Sequence, residues 1–191
     1  MARLRSPEKR RAILEAAVEE IAQAGLSAPT SRIARRAEVA EGTLFTYFAT
    51  KDDLLNQLYL ELKAEFYDHV NPSFPEYAPL RDRAWHIWSK FVGWSLERPL
   101  KRKVSVQLNV SDVITQKTRA QAALGRELID ATFKELAHSE AVRGLPPSFA
   151  GSVMSSFQEA ALDLVAKQPK QHKQLIERTF NVFWRIFEDG R

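Results

Sequence analysis

Residues 30–48 read TSRIARRAEVAEGTLFTYF, and this stretch decides the fold. It holds two short helical patterns around a tight turn at Glu38-Val39. Pro29-Thr30-Ser31 opens the first, which runs through Ala37, and the second covers 41–48. On the first helix Ile33 and Ala34 point inward, and a residue as small as Ala34 suits helices that cross closely. Val39 plugs the turn, and Leu44 and Phe48 anchor the second helix. Left exposed on that helix are Glu41, Gly42, Thr43, Thr46 and Tyr47. These are small or hydrogen-bonding side chains, as an element lying in a DNA major groove requires. The pattern fits a helix-turn-helix; taken by itself it also fits an unrelated helical hairpin.

Outward from this stretch the chain is helical nearly throughout. Upstream, Ser6-Pro7 makes an N-cap and N1 pair. Ala12, Ile13, Ala16, Ala17, Glu20, Ile21 and Ala24 then keep a helical period up to a stop at Gly25. Downstream, Thr50-Lys51-Asp52-Asp53 reads as a cap with acids in the first turn. It starts a long fourth helix with Leu54, Leu55, Leu58, Leu62 and Phe66 on one side. Pro72, Pro75 and Pro79 make 71–79 a linker. Further helices are expected over 80–98, 101–110, 115–142, 148–167 and 170–189, with breaks at Gly144-Leu145-Pro146-Pro147 and Pro169. No segment reads as a strand. The expected fold is therefore all-α with nine helices. An N-terminal three-helix domain (1–51) carries the helix-turn-helix at 30–48, and a helical domain follows (52–191).

Composition narrows the function classes. The chain has no cysteine, which excludes disulfides, thiol catalysis, thiol redox sensing and cysteine-ligated zinc. MARLRSPEKRR is basic, but no apolar run follows it, and nothing approaches the roughly 20 apolar residues of a membrane span. A cytoplasmic protein without membrane contact is expected. Net charge is +4, and +3 of it lies in residues 1–51. There Arg3, Arg5, Lys9, Arg10, Arg11, Arg32, Arg35, Arg36 and Lys51 outnumber Glu8, Glu15, Glu19, Glu20, Glu38 and Glu41. A basic end suits a polyanion partner, and a merely solvated basic surface equally. His69, His86, His138 and His172 are scattered, with no H-E-x-x-H, phosphate loop or G-x-S-x-G. Asp82 with His86, and Glu159 with Asp163, lie one helical turn apart and read as surface neighbours. No enzyme, metal or cofactor is expected.

The order of the N-terminal features carries a resemblance. Ile13-Leu14-Glu15-Ala16-Ala17, Gly25-Leu26, Ile33-Ala34 and the run from Val39 to Lys51, VAEGTLFTYFATK, resemble the signature of the TetR family of transcriptional regulators. The resemblance implies a one-component repressor whose homodimer binds a palindromic double-stranded operator and is released by a small-molecule effector. Activation in place of repression stays open. Past residue 51, Tyr59-Leu60, Ile87-Trp88, Trp94 and Gln107-Leu108 resemble RamR-like multidrug-sensing repressors.

Carried onto this chain, the resemblance gives Thr30 and Ser31 to phosphate, Gly42, Thr43 and Thr46 to the groove, and Tyr47 and Lys51 to phosphate. Three positions depart from the family pattern. Glu41 stands where lysine is common; its carboxylate can accept from a cytosine amino group or point away. Phe45 replaces a common tyrosine. Glu38 occupies a turn position where glycine is usual. A left-handed backbone there would cost a non-glycine residue roughly 1–2 kcal/mol.

In the second half, Tyr59, Phe66, Trp85, Trp88, Phe91, Met154 and Phe157 are the candidate ligand-binding residues. An aromatic stripe at helical spacing also reads as plain core. With the resemblance, the implied effector is large, flat and apolar. The last helix has two apolar sides, one of which needs a partner. The expected dimer interface comprises Phe149, Val153, Ile176, Phe180, Phe183 and Phe187.

Overall fold

A computed structural model describes residues 6–188. Helix α1 (Pro7–Ala24) starts where expected. Ser6 Oγ accepts from the Lys9 N–H at 3.3 Å, and Pro7 takes a position that needs no donor. It stops at Gly25, whose φ of +77° is left-handed and whose N–H donates back to Ile21 O at 2.8 Å. Helices α2 (Thr30–Arg36) and α3 (Glu41–Tyr47) follow. Helix α4 (Lys51–Val70) opens on a reciprocal cap. Thr50 Oγ1 accepts from the Asp53 N–H at 3.0 Å, and Asp53 Oδ2 accepts from the Ala49 N–H at 2.9 Å. Then come α5 (Leu80–Glu97), α6 (Pro99–Asn109), α7 (Gln116–Ala122), α8 (Glu127–Leu136), α9 (Phe149–Lys167) and α10 (His172–Trp184). No strand occurs among the described residues.

The described residues thus form ten α-helices where nine were expected. The single helix read over 115–142 is two, α7 and α8, separated by a 3-10 turn at Ala123–Gly125. The cause is local crowding. A Cβ on Gly125 would lie 2.7 Å from Cδ2 of Tyr67, so only glycine fits. Asn71 Nδ2 also takes the Gly125 carbonyl at 2.9 Å, diverting it from the helical ladder. The last helix begins at His172, after a 3-10 turn at Pro169–Gln171, and ends at Trp184, short of the end expected at Asp189. Residues 185–187 turn, with the Ile186 N–H donating to Phe183 O at 3.1 Å and the Phe187 N–H to Trp184 O at 2.9 Å.

The chain divides into two compact units. The first holds residues up to Glu65 together with Arg98–Leu124. Its core joins Ile13, Ala17 and Ile21 of α1 to Ile33, Leu44, Phe48 and Leu58, with Val104 and Leu108 of α6. Asn56 ties α4 to the loop before α7: its Nδ2 donates to Val113 O at 2.8 Å and its Oδ1 accepts from the Thr115 N–H at 3.0 Å. The second unit holds Phe66–Glu97 and the residues from Gly125 onwards. There α5, α9 and α10 pack around Trp88, Met154, Phe180 and Phe183, with α8 alongside. The boundary expected at residue 51 is one of function; these units are divisions of packing.

Candidate nucleic-acid interface

The helix-turn-helix is built from the inside. Ile33, Ala34, Leu44 and Phe48 are buried almost completely, which fixes α2 and α3 on α1. Between the two helices Glu38 takes φ of +54°, making it the sole non-glycine described residue in the left-handed region. This conformation lets the Val39 N–H reach Ala34 O at 3.0 Å and turns the chain sharply into α3.

On the outer face of α3, Glu41, Gly42, Phe45 and Thr46 are exposed, and Thr43 and Tyr47 are half-buried. A Cβ on Gly42 would meet nothing within 4 Å, so the protein's own packing does not demand glycine there. Thr46 turns its hydroxyl back to Gly42 O at 3.1 Å. Tyr47 OH accepts from the Ser6 N–H at 2.9 Å, which leaves its own hydrogen to donate outward. Thr30 donates to Glu41 Oε1 at 2.6 Å, so its hydroxyl is already engaged. Ser31 is exposed, and Lys51 is half-buried with no ion pair among the described residues.

The positive charge is less available than its count suggests. Arg36 Nε and Arg32 Nε lie 2.7 Å and 2.8 Å from the oxygens of the buried Glu20, and Arg36 also reaches Glu19. The Arg36 hydrogen bond, aided by the charges of Arg32 and Arg36, holds the Glu20 carboxyl below the usual carboxylate range although burial opposes this. Arg10 pairs with Glu61 at 3.2 Å. Arg35, exposed and outside these pairs, stays open to an external anion. Arg3 and Arg5 lie outside the described residues.

The expected ligand-binding residues fall in two places. Tyr59 belongs to the first unit, its ring 5.2 Å from Lys63 Nζ and 5.9 Å from the Arg119 guanidinium carbon. The other six belong to the second. Phe66 meets Phe91 edge-on at 5.8 Å, Trp85 and Trp88 contact Phe180, Trp88 stacks on Phe183, and Phe157 also meets Phe183. Trp88 and Met154 are fully buried. Trp88 Nε1, Ser95 Oγ and Gln158 Nε2 are buried without a hydrogen-bond partner among the described residues. A groove of about 1100 Å³ between α8 and α9, lined by Phe133, Lys134, His138 and Gly151 among others, has no counterpart in the sequence reading and includes none of these seven residues. Gly151, small enough to leave it open, is the only signal of it in the sequence.

The residues expected at a dimer interface divide between an inner and an outer side. Phe180, Phe183 and Phe187 are 1%, 0% and 5% exposed, because they fill the core of their own unit against Trp88 and one another. Ile176 is half-buried against the same core. The outward side of α10 carries Val182, 53% exposed, with the half-buried Leu175 two turns before it. On α9, Phe149, Val153 and Phe157 are half-buried and Leu164 is exposed.

His86 Nε2 lies 2.9 Å from Val70 O, so that ring nitrogen is engaged by the backbone. Among the described residues, no group of three or more His, Asp or Glu is placed to hold a metal ion, and no helix is long and apolar enough to cross a membrane.

With this geometry in hand, comparison with known proteins is specific. Residues 13–58 match the family model described as bacterial regulatory proteins, tetR family. The chain is 35% identical over 79 residues to the fatty acid metabolism regulator protein of Bacillus subtilis (strain 168), a match covering 41% of each chain. It therefore spans about two fifths of the length of the curated relatives it matches. Among solved structures, a chain from Shewanella sp. PV-4 assigned to the tetR family of transcription regulators is 28% identical, with a TM-score of 0.77. That likeness covers 95% of this chain and 97% of the other. The transcriptional regulator FadR of Bacillus subtilis, solved in complex with stearoyl-CoA, shares the fold at 21% identity and a TM-score of 0.69, over 95% and 99% of the two chains.

Proposed function

We propose that this protein is a ligand-responsive repressor, a reading supported by the match of residues 13–58 to the tetR family model and by a fold similar along the chain to that of a tetR-family transcription regulator. Two copies bind a palindromic operator, and a small, largely apolar molecule releases them. The observation that carries the DNA part is the outer face of α3: Gly42 open to close approach, Thr43 beside it, Tyr47 with a free hydroxyl hydrogen and Lys51 without an ion pair among the described residues. Phosphate contacts position such a helix and base contacts give it sequence preference. Ser31 and Lys51 serve the backbone; Gly42, Thr43 and Thr46 face the groove. Such a regulator works in the cytoplasm, where its DNA is.

The homodimer forms through α9 and α10, by the outward stripe of Phe149, Val153, Phe157 and Leu164 together with Leu175 and Val182. A twofold dimer presents two recognition helices to successive major grooves, hence the palindrome. The effector is taken by the aromatic cluster of α5 and α9. The resemblance to RamR-like multidrug sensors argues for a planar aromatic molecule; the stearoyl-CoA bound by the FadR neighbour joins a long apolar acyl chain to a polar, phosphate-bearing coenzyme. Both present a bulky apolar part. The unpartnered donors Trp88 Nε1 and Gln158 Nε2 favour an effector that also carries oxygen acceptors.

The test is a gel shift with the DNA upstream of the protein's own gene, titrated with salt. Preferred binding that weakens as salt rises is expected. Affinity equal to that for unrelated DNA of the same length would refute the reading.

A further inference from the structure

The departure at Glu41 acquires a role from its geometry. It is the first residue of α3 and is exposed. Thr30, first in α2, donates its hydroxyl to Oε1 at 2.6 Å. This bond crosses from one helix of the motif to the other and fixes a side chain that would otherwise sample several rotamers. No described residue other than Thr30 bonds the carboxylate, so its second oxygen keeps acceptor capacity to spare. On α2, Arg32 and Arg36 are committed to Glu20 and Glu19, and Arg35 makes no ion pair with Glu41.

We propose that Glu41, held by Thr30, is a specificity residue that accepts the amino group of a cytosine in each half-site. The inference rests on the DNA-binding reading above. Of the groups a major groove offers, a carboxylate can engage only donors. Cytosine presents its N4 amino as a lone donor. Adenine sets the N7 acceptor beside its N6 amino, and guanine offers two acceptors, O6 and N7. An acceptor-only group therefore repels N7 of adenine and both edges of guanine, and thymine offers only an acceptor and a methyl group. With Oε1 already accepting from Thr30, Oε2 is the less encumbered acceptor and suits the lone donor of cytosine. The same charge disfavours phosphate at that end of the helix, so it suppresses binding that ignores sequence.

The experiment is selection of bound sequences from a randomised DNA library, run in parallel on wild type, Glu41→Gln, Glu41→Ala and Thr30→Val. Thermal unfolding checks that each variant is folded. Wild type is expected to enrich cytosine at one position per half-site, with a preference of about 10-fold or more, since one good side chain-to-base pair is worth about 1–3 kcal/mol. Glu41→Gln should move that position to adenine, because an amide pairs with both N6 and N7. Glu41→Ala should lose the preference there alone, and Thr30→Val should weaken it while leaving the rest of the motif. A motif unchanged in Glu41→Ala overturns this proposal and leaves the DNA-binding reading standing. A wild type that selects no motif overturns both. A purely structural Glu41 would alter affinity for all sequences together, without changing which base is chosen, and that outcome also overturns it.

Discussion

Replacing Glu38 with glycine tests the turn on which the whole motif hinges. With φ at +54°, the Cβ of Glu38 crowds its own backbone, at a cost of roughly 1–2 kcal/mol against the right-handed form. Glycine sheds that cost, but its freer unfolded chain takes back about 0.5–1 kcal/mol. The Glu38 side chain is exposed and bonds no described residue, so its removal breaks nothing in the fold. Glu38→Gly should therefore be more stable by up to about 1.5 kcal/mol, the largest difference of the two terms. In a chain of this size that raises Tm by up to about 6 °C. The assay is thermal unfolding by circular dichroism at one fixed protein concentration, because association makes Tm depend on concentration. Glu38→Ala keeps the Cβ and should stay near wild type; Glu38→Asn should gain part of the effect, since asparagine tolerates this conformation. A Glu38→Gly protein that melts below wild type, or an alanine variant that gains as much as the glycine one, would refute the argument.

Val182→Glu should split the dimer, read as a halved mass in sedimentation, with each protomer still folded. Phe183→Ala should instead cost the fold itself about 3–5 kcal/mol, because that ring is wholly internal. A depressed Glu20 pKa makes a signed prediction. Its stabilisation is complete above the unfolded value and is lost as pH falls through the lower folded value, so acid unfolding of Glu20→Gln should show a shallower pH dependence than wild type across that window. Trp88→Ala should lose effector affinity, followed by fluorescence titration, while operator affinity in a gel shift stays.

The N-terminal half of the fold is legible in the sequence because its signals are local. Ser6-Pro7, Gly25 and Thr50-x-x-Asp53 each fix a helix end through atoms within four residues of each other. The left-handed turn at position 38 is legible through the resemblance alone, which puts glycine there; a glutamate carries no local mark of it. Two differences arise from partners distant in sequence. The break at Gly125 depends on Tyr67 and Asn71, more than fifty residues away, and no helical period in 115–142 records them. The faces of α10 are hard to tell apart because both are apolar. Which one is internal is decided by Trp85 and Trp88 of α5, and stripes of similar hydrophobicity carry no mark of that choice. The candidate ligand residues share this ambiguity, because buried aromatic rings satisfy a core and a pocket alike.

Charge is the signal most easily misread. Counting lysines and arginines gives the N-terminal region its basic character, yet Arg32 and Arg36 serve the fold, since together they compensate a carboxylate buried under α2. Lys51 has no such duty. The two kinds of cation should therefore separate under mutation. Arg36→Ala leaves Glu20 with Arg32 alone and takes the donor from its Oε1, which lowers Tm. Its effect on the slope of operator affinity against salt should be negligible, because it neutralises no phosphate. Lys51→Ala should do the reverse: little change in Tm, and a salt slope flatter by about 0.9 for each phosphate it no longer neutralises. Unfolding curves and salt titrations of both variants, measured side by side, decide it. Equal flattening of the slope by the two substitutions would mean that Arg36 leaves Glu20 on binding DNA, and that its pairing with Glu20 belongs to the free protein alone.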